Sequence, residues 1–178
     1  MNACSFFGHK EIDKTEQLKI ELENYLITLI TKRNYAIFYF GKFGDFDELC
    51  YDIISKLKNT YTHIKRILIA YNDKILRKYK LLYKHLYDDI ITVNLSFDWW
   101  YTAIYYRNIA IIDMSNHVIF YVKNKTNSGA YKTMCYAISR KKDYVNFYNQ
   151  KARKRNNAFG LFKFVLFFGY YNFSVAFW

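Results

Sequence analysis

The chain has 178 residues, 52% of them apolar and 21% aromatic, with 27 Lys+Arg, 15 Asp+Glu and no proline. This length suits one domain with a real core, the apolar fraction excludes a disordered chain, and 24% charged residues exclude a multi-spanning membrane protein. A net charge of +12 invites nucleic acid or anionic lipid, yet Lys, Asn, Ile, Tyr and Phe all have A/T-rich codons, so base composition is a sufficient cause.

Ala3 to Phe7 is a short apolar run ending at Gly8-His9, as a buried strand does at a turn. Leu18, Leu22, Leu26, Leu29 and Ile30 recur at helical spacing between Lys14 and Arg33, and Asp13 with Glu16 predicts the cap of this helix. Tyr35 to Phe40 predicts a second strand stopping at Gly41. Phe46, Leu49, Cys50, Ile53, Ile54 and Leu57 give a second helix, and Ile64 to Tyr71 a third strand. Asn72 to Phe97 then breaks the rhythm and reads as an insertion. Its Lys74, Arg77, Lys78, Lys80 and Lys84 suit a solvated helix face or, less simply, a nucleic-acid groove. Trp100, Ala103, Ile104, Arg107, Ile111 and Met114 restore helical spacing. His117 to Val122 predicts a fourth strand, Lys123 to Gly129 a polar loop, Ala130 to Ile138 a last helix and Tyr144 to Tyr148 a fifth strand.

Strands that are apolar throughout and alternate with helices predict a parallel sheet covered on both faces. The expected fold is α/β, doubly wound and mainly parallel, a single Rossmann-like domain over residues 1–150. With 22 basic and 15 acidic residues that segment carries +7, and residues 151–178 add five basic residues and no acid. The tail is basic from Lys151 to Arg155, then apolar but for Lys163. It is read as a hairpin, an extension with no evolved role or a membrane anchor. Cys4, Cys50 and Cys135 are widely spaced among apolar neighbours, so reduced, buried thiols in a cytoplasmic protein are expected, with no zinc or other metal site. No secretory signal is visible at the N-terminus.

Ligands of open parallel sheets bind beyond the carboxyl ends of the strands. Those ends hold Gly8-His9-Lys10, the Gly41 to Asp47 turn and the Lys123 to Gly129 loop. Two glycine-bearing turns leading into helices could offer backbone N–H groups to phosphate, although neither is GxGxxG or a Walker A loop. A glycine between strand and helix also meets a structural need in any βα unit. His9 suits phosphate contact or acid–base work, or simply a surface position. Asp47 suits a ribose hydroxyl or the helix dipole. Arg107, on an apolar helix face, must find a partner, either ligand phosphate or a carboxylate such as Asp113. Most of the 19 tyrosines and 16 phenylalanines must be core, with base stacking by Trp99-Trp100 the lesser alternative.

These residues fall in a pattern. Cys4-Ser5-Phe6-Phe7-Gly8-His9, the stretch Phe38 to Asp47, Tyr61-Thr62-His63-Ile64, Tyr106-Arg107-Asn108 with Met114-Ser115, and Gly129 together resemble the SLOG superfamily over residues 3–148, in particular its bacterial YpsA-like branch. The resemblance implies a Rossmann-like fold that binds nucleotides or nucleotide-derived ligands. Its wider relatives include DprA-like single-strand DNA binders and the "lonely guy" phosphoribohydrolases. The latter carry Pro-Gly-Gly-x-Gly-Thr-x-x-Glu after the fourth strand, where this chain has Asn127-Ser128-Gly129-Ala130-Tyr131-Lys132-Thr133. Without that glutamate the group that would assist glycosidic cleavage is missing.

The leading expectation is therefore binding of a nucleotide-like small molecule, without robust catalysis and with no required cofactor. Gly8, His9, Gly41, Gly44, Asp47, Arg107, Asn108, Ser128 and Gly129 are the expected ligand-binding residues, and His9 with Asp47 the only catalytic pair to test. A hydrolase of N-glycosidic or phosphate bonds and a single-stranded nucleic-acid binder remain as alternatives. Homo-oligomerisation is compatible with the sequence, and contact with a membrane is expected only through the tail.

Overall fold

The computed structural model describes residues 1–42, 44–95, 99–123 and 127–149. The expectations for the tail fall outside these residues. Strands β1 (Asn2–Gly8), β2 (Tyr35–Phe40), β3 (Lys65–Ala70), β4 (Asp89–Thr92), β5 (His117–Tyr121) and β6 (Asp143–Asn146) alternate with helices α1 (Glu16–Arg33), α2 (Asp45–Lys58), α3 (Asp73–Tyr83), α4 (Trp100–Met114) and α5 (Gly129–Ser139). Among the described residues the six strands form one sheet in the order β4-β3-β2-β1-β5-β6, and every pairing is parallel. The fold is α/β and Rossmann-like.

From β1 the chain builds outward through β2, β3 and β4, then returns to add β5 and β6 on the other side. Right-handed crossovers therefore place α1, α2 and α3 on one face and α4 and α5 on the other. Side chains divide accordingly with the strand period of two. Phe6, Leu68 and Ile119 join the core shared with α1 to α3, whereas Phe7, Ile69, Val118 and Phe120 join the core of α4 and α5. All five apolar positions read into the first helix are buried.

Four expectations are corrected. Thr15 caps α1, its hydroxyl accepting the Leu18 N–H at 3.2 Å; a residue two positions before the cap, as Asp13 is, does not reach this donor. The supposed insertion after Tyr71 is a further βα unit, made of α3 and β4. Asn72 caps α3 by accepting the Ile75 N–H at 3.0 Å, and Ile75, Leu76, Tyr79 and Tyr83 turn inward on one helical face. Because β4 has only four residues at an edge, it leaves no continuous apolar run to read. The last strand ends at Asn146, and a 3-10 turn (Phe147–Asn149) then folds the buried Phe147 edge-on against Tyr25. Finally, Cys135 is exposed on α5, although Cys4 and Cys50 are buried thiols raised well above their usual pKa by desolvation.

At the amino end of the sheet His117 is buried. Its Nε2 meets Tyr25 Oη at 2.9 Å, and its Nδ1 lies 3.0 Å from Asp143 Oδ2, off the line of a hydrogen bond. Burial lowers its pKa, with Asp143 opposing and Arg33 adding to the fall. A histidine depressed in the folded state binds fewer protons than the unfolded chain once the pH drops below its ordinary value. The urea midpoint should therefore fall between pH 7.5 and pH 5.5, and the fall should shrink in His117→Phe. An unchanged wild-type midpoint would contradict this assignment.

Candidate functional site

The direction of winding reverses between β1 and β5, so the switch-point crevice opens beyond Gly8 and Tyr121. A cleft of about 290 Å³ lies there, bordered by the loop after β1, the end of β2, the middle of α4 and the start of α5. Gly8, His9, Gly41, Asp47, Arg107, Asn108, Ser128 and Gly129 all line it. Gly44 does not. It caps α2 at φ 92°, where a Cβ would come within 2.8 Å of the Lys10 Cα, so its task is close backbone packing under the first loop.

That loop is clamped on both sides. Asp45 N–H donates to the Lys10 carbonyl at 2.8 Å, and Asp45 Oδ2 accepts from Ile12 N–H at 3.2 Å. On the other side His9 N–H donates to the Tyr121 carbonyl at 3.2 Å, and Lys123 N–H donates to His9 Nε2 at 2.8 Å. With Nε2 accepting, the neutral imidazole carries its proton on Nδ1. Burial, and then the Lys123 charge, lower the His9 pKa. His9 is thus a staple between the ends of β1 and β5.

Gly41 organises the floor of the cleft. A Cβ there would lie 2.6 Å from Arg107 Nη2, so only glycine lets the guanidinium reach the backbone. Arg107 Nη1 donates to the Gly41 carbonyl at 2.8 Å and Nη2 to Asn108 Oδ1 at 2.9 Å, while Gly41 N–H donates to Asp47 Oδ1 at 3.3 Å. Arg107 is 1% exposed and Asp47 5%. Burial lowers the arginine pKa, and Tyr79, Asp47 and Tyr71 oppose that fall. Asp113, the carboxylate that the sequence offers as an alternative to ligand phosphate, is not the group that Arg107 reaches. Asp113 instead accepts from Tyr136 Oη and pairs with Arg140, on the far side of α4.

Ser128 caps α5, its Oγ accepting the Tyr131 N–H at 3.2 Å, and Gly129 opens the helix. Unlike Gly8, where a Cβ would press on Phe46 at 2.4 Å, Gly129 has nothing among the described residues within 4 Å of a Cβ. Lys10, Ile104 and Ala130 also line the cleft without having been singled out. The position of Lys10 directly after Gly8-His9 was the available signal for it. Ile104 and Ala130 are apolar helix positions that read as core.

Among the described residues no group of His, Cys, Asp and Glu could hold a metal ion, and no helix is long and apolar enough to cross a membrane. In comparison with known proteins, no family model matches the chain and no curated protein matches it at a significant level.

Proposed function

We propose that the switch-point cleft binds a nucleotide or nucleotide-derived ligand through its phosphate, without robust catalysis. Gly129 carries this reading. Gly8, Gly41 and Gly44 each answer a packing demand, whereas a Cβ on Gly129 would meet nothing within 4 Å among the described residues, and Gly129 lines the cleft at the positive end of α5. A missing side chain there leaves room for an anion beside backbone N–H groups. The Arg107 guanidinium lies in the same floor, its charge balanced by the neighbouring Asp47 carboxylate. His9 and Asp47 each hold a structural hydrogen bond, which fits a binding scaffold better than an acid–base pair. The resemblance of residues 3–148 to the SLOG superfamily points to the same ligand class.

Thermal shift against a panel of nucleotides tests the reading, because a ligand at 100 times its Kd stabilises by about 2.7 kcal/mol. Gly129→Ala should raise stability by roughly 0.5 kcal/mol through the reduced freedom of the unfolded chain, yet weaken nucleotide binding. No shift with any nucleotide, in a protein shown to be folded, would overturn the proposal.

A further inference from the structure

Three large rings stand in water at the start of α4. Trp99 is 64% exposed, Trp100 63% and Tyr101 57%. Single exposed rings are ordinary, whereas a contiguous group marks a contact surface. The three are also ordered against one another. Trp99 stacks on Tyr101 at 6.1 Å and 24°, and Trp100 meets Tyr101 edge-on at 6.2 Å and 80°.

Beside them runs a second groove of about 290 Å³, lined by Trp100, Tyr101, Ile104, Tyr105, Asn108 and Gly129. Ile104, Asn108 and Gly129 belong to both hollows, so the groove continues the cleft along α4. The two ends differ in chemistry. The cleft offers Arg107, Ser128 and a helix N-terminus, whereas the groove offers ring faces and edges. Each hollow alone falls just short of the range for ligand sites, about 300–1,000 Å³. A ligand that fills both is anionic at one end and flat and aromatic at the other.

We propose that the groove takes the purine base of the nucleotide whose phosphate occupies the cleft, the base stacking on Trp100 with the Tyr101 ring as a wall at right angles to it. The proposal rests on the phosphate reading of the cleft. A purine is favoured over a pyrimidine because its larger face covers more of the rings. The site then distinguishes a nucleotide from a bare sugar phosphate, a discrimination the cleft alone does not supply.

Calorimetric titration of the full chain with adenosine 5′-monophosphate and with ribose 5-phosphate, which lacks only the base, tests this directly. The nucleotide should bind at least about tenfold more tightly, a typical gain from stacking one base on an aromatic side chain. Trp100→Leu should erase that advantage and leave the affinity for ribose 5-phosphate unchanged; an exposed ring can be removed without unfolding the protein, which circular dichroism checks. Equal wild-type affinity for the two probes would overturn the stacking platform alone and spare the phosphate site. An advantage that survives both Trp100→Leu and Tyr101→Leu would do the same. Binding of neither probe would overturn the phosphate site and the platform together. A wild-type dimer that Trp100→Leu dissociates would assign the rings to a second copy of the chain and overturn the base site.

Discussion

Replacing Arg107 with methionine is expected to destabilise the protein by about 3–5 kcal/mol, the usual consequence of removing one charge from a buried polar arrangement. Methionine keeps most of the apolar stem, so little of the loss comes from packing. What is lost is the donor to the Gly41 carbonyl and to Asn108, together with the positive charge that balances the nearly buried Asp47. Equilibrium urea denaturation measures the effect. Asp47→Asn keeps an acceptor for Gly41 N–H and removes only the charge. In the double variant the two losses should therefore add to less than their sum, because the second substitution removes a charge the first left uncompensated. A loss below about 1 kcal/mol for Arg107→Met would mean that the guanidinium is not a structural part of the floor.

Gly44→Ala should be the next most damaging change. Its backbone, at φ 92° and ψ 165°, is a conformation that side chains rarely adopt, worth roughly 1–3 kcal/mol. The new methyl would also meet the Lys10 Cα at 2.8 Å, and such overpacking costs roughly 1–3 kcal/mol more. Because Gly44 does not line the cleft, the fraction that remains folded should bind its ligand with wild-type affinity. A large loss of stability with unchanged affinity would separate Gly44 from Gly129, where the opposite result is expected. Chemical denaturation and calorimetry on the same variants give both numbers.

The fold was legible wherever one physical cause dominated the residue pattern. Leu22, Leu26 and Leu29 on α1 and the aromatic run of β2 are buried on the faces their spacing indicates. The unit made of α3 and β4 was not legible, because an edge strand of four residues is stabilised by its ladder to β3 rather than by an apolar run. Its helix buries one tyrosine, Tyr79, and shows lysines outward, so charge masked the periodicity. Around the cleft the strand ends gathered the expected residues because chain topology alone brings them to one edge. The duties of the individual glycines were not readable. Gly44 and Gly129 look alike in sequence, but one is fixed by a neighbouring backbone and the other faces open space. Nor could spacing choose the partner of Arg107: Asp113 lies nearer in sequence, yet the carbonyl of Gly41, across the sheet edge, is what the guanidinium reaches.

The two borders of the sheet, among the described residues, bear on how the chain avoids its own copies. Both β4 and β6 are four residues long, and each begins with an aspartate, Asp89 and Asp143. A strand border exposes unpaired N–H and C=O groups that can recruit another strand, and short length with a charge at the entry is the usual protection. In a chain 52% apolar, with long continuous runs in its central strands, that protection guards against edge-to-edge aggregation. The carboxylates at the two margins place a charge where a second copy's strand would have to pair.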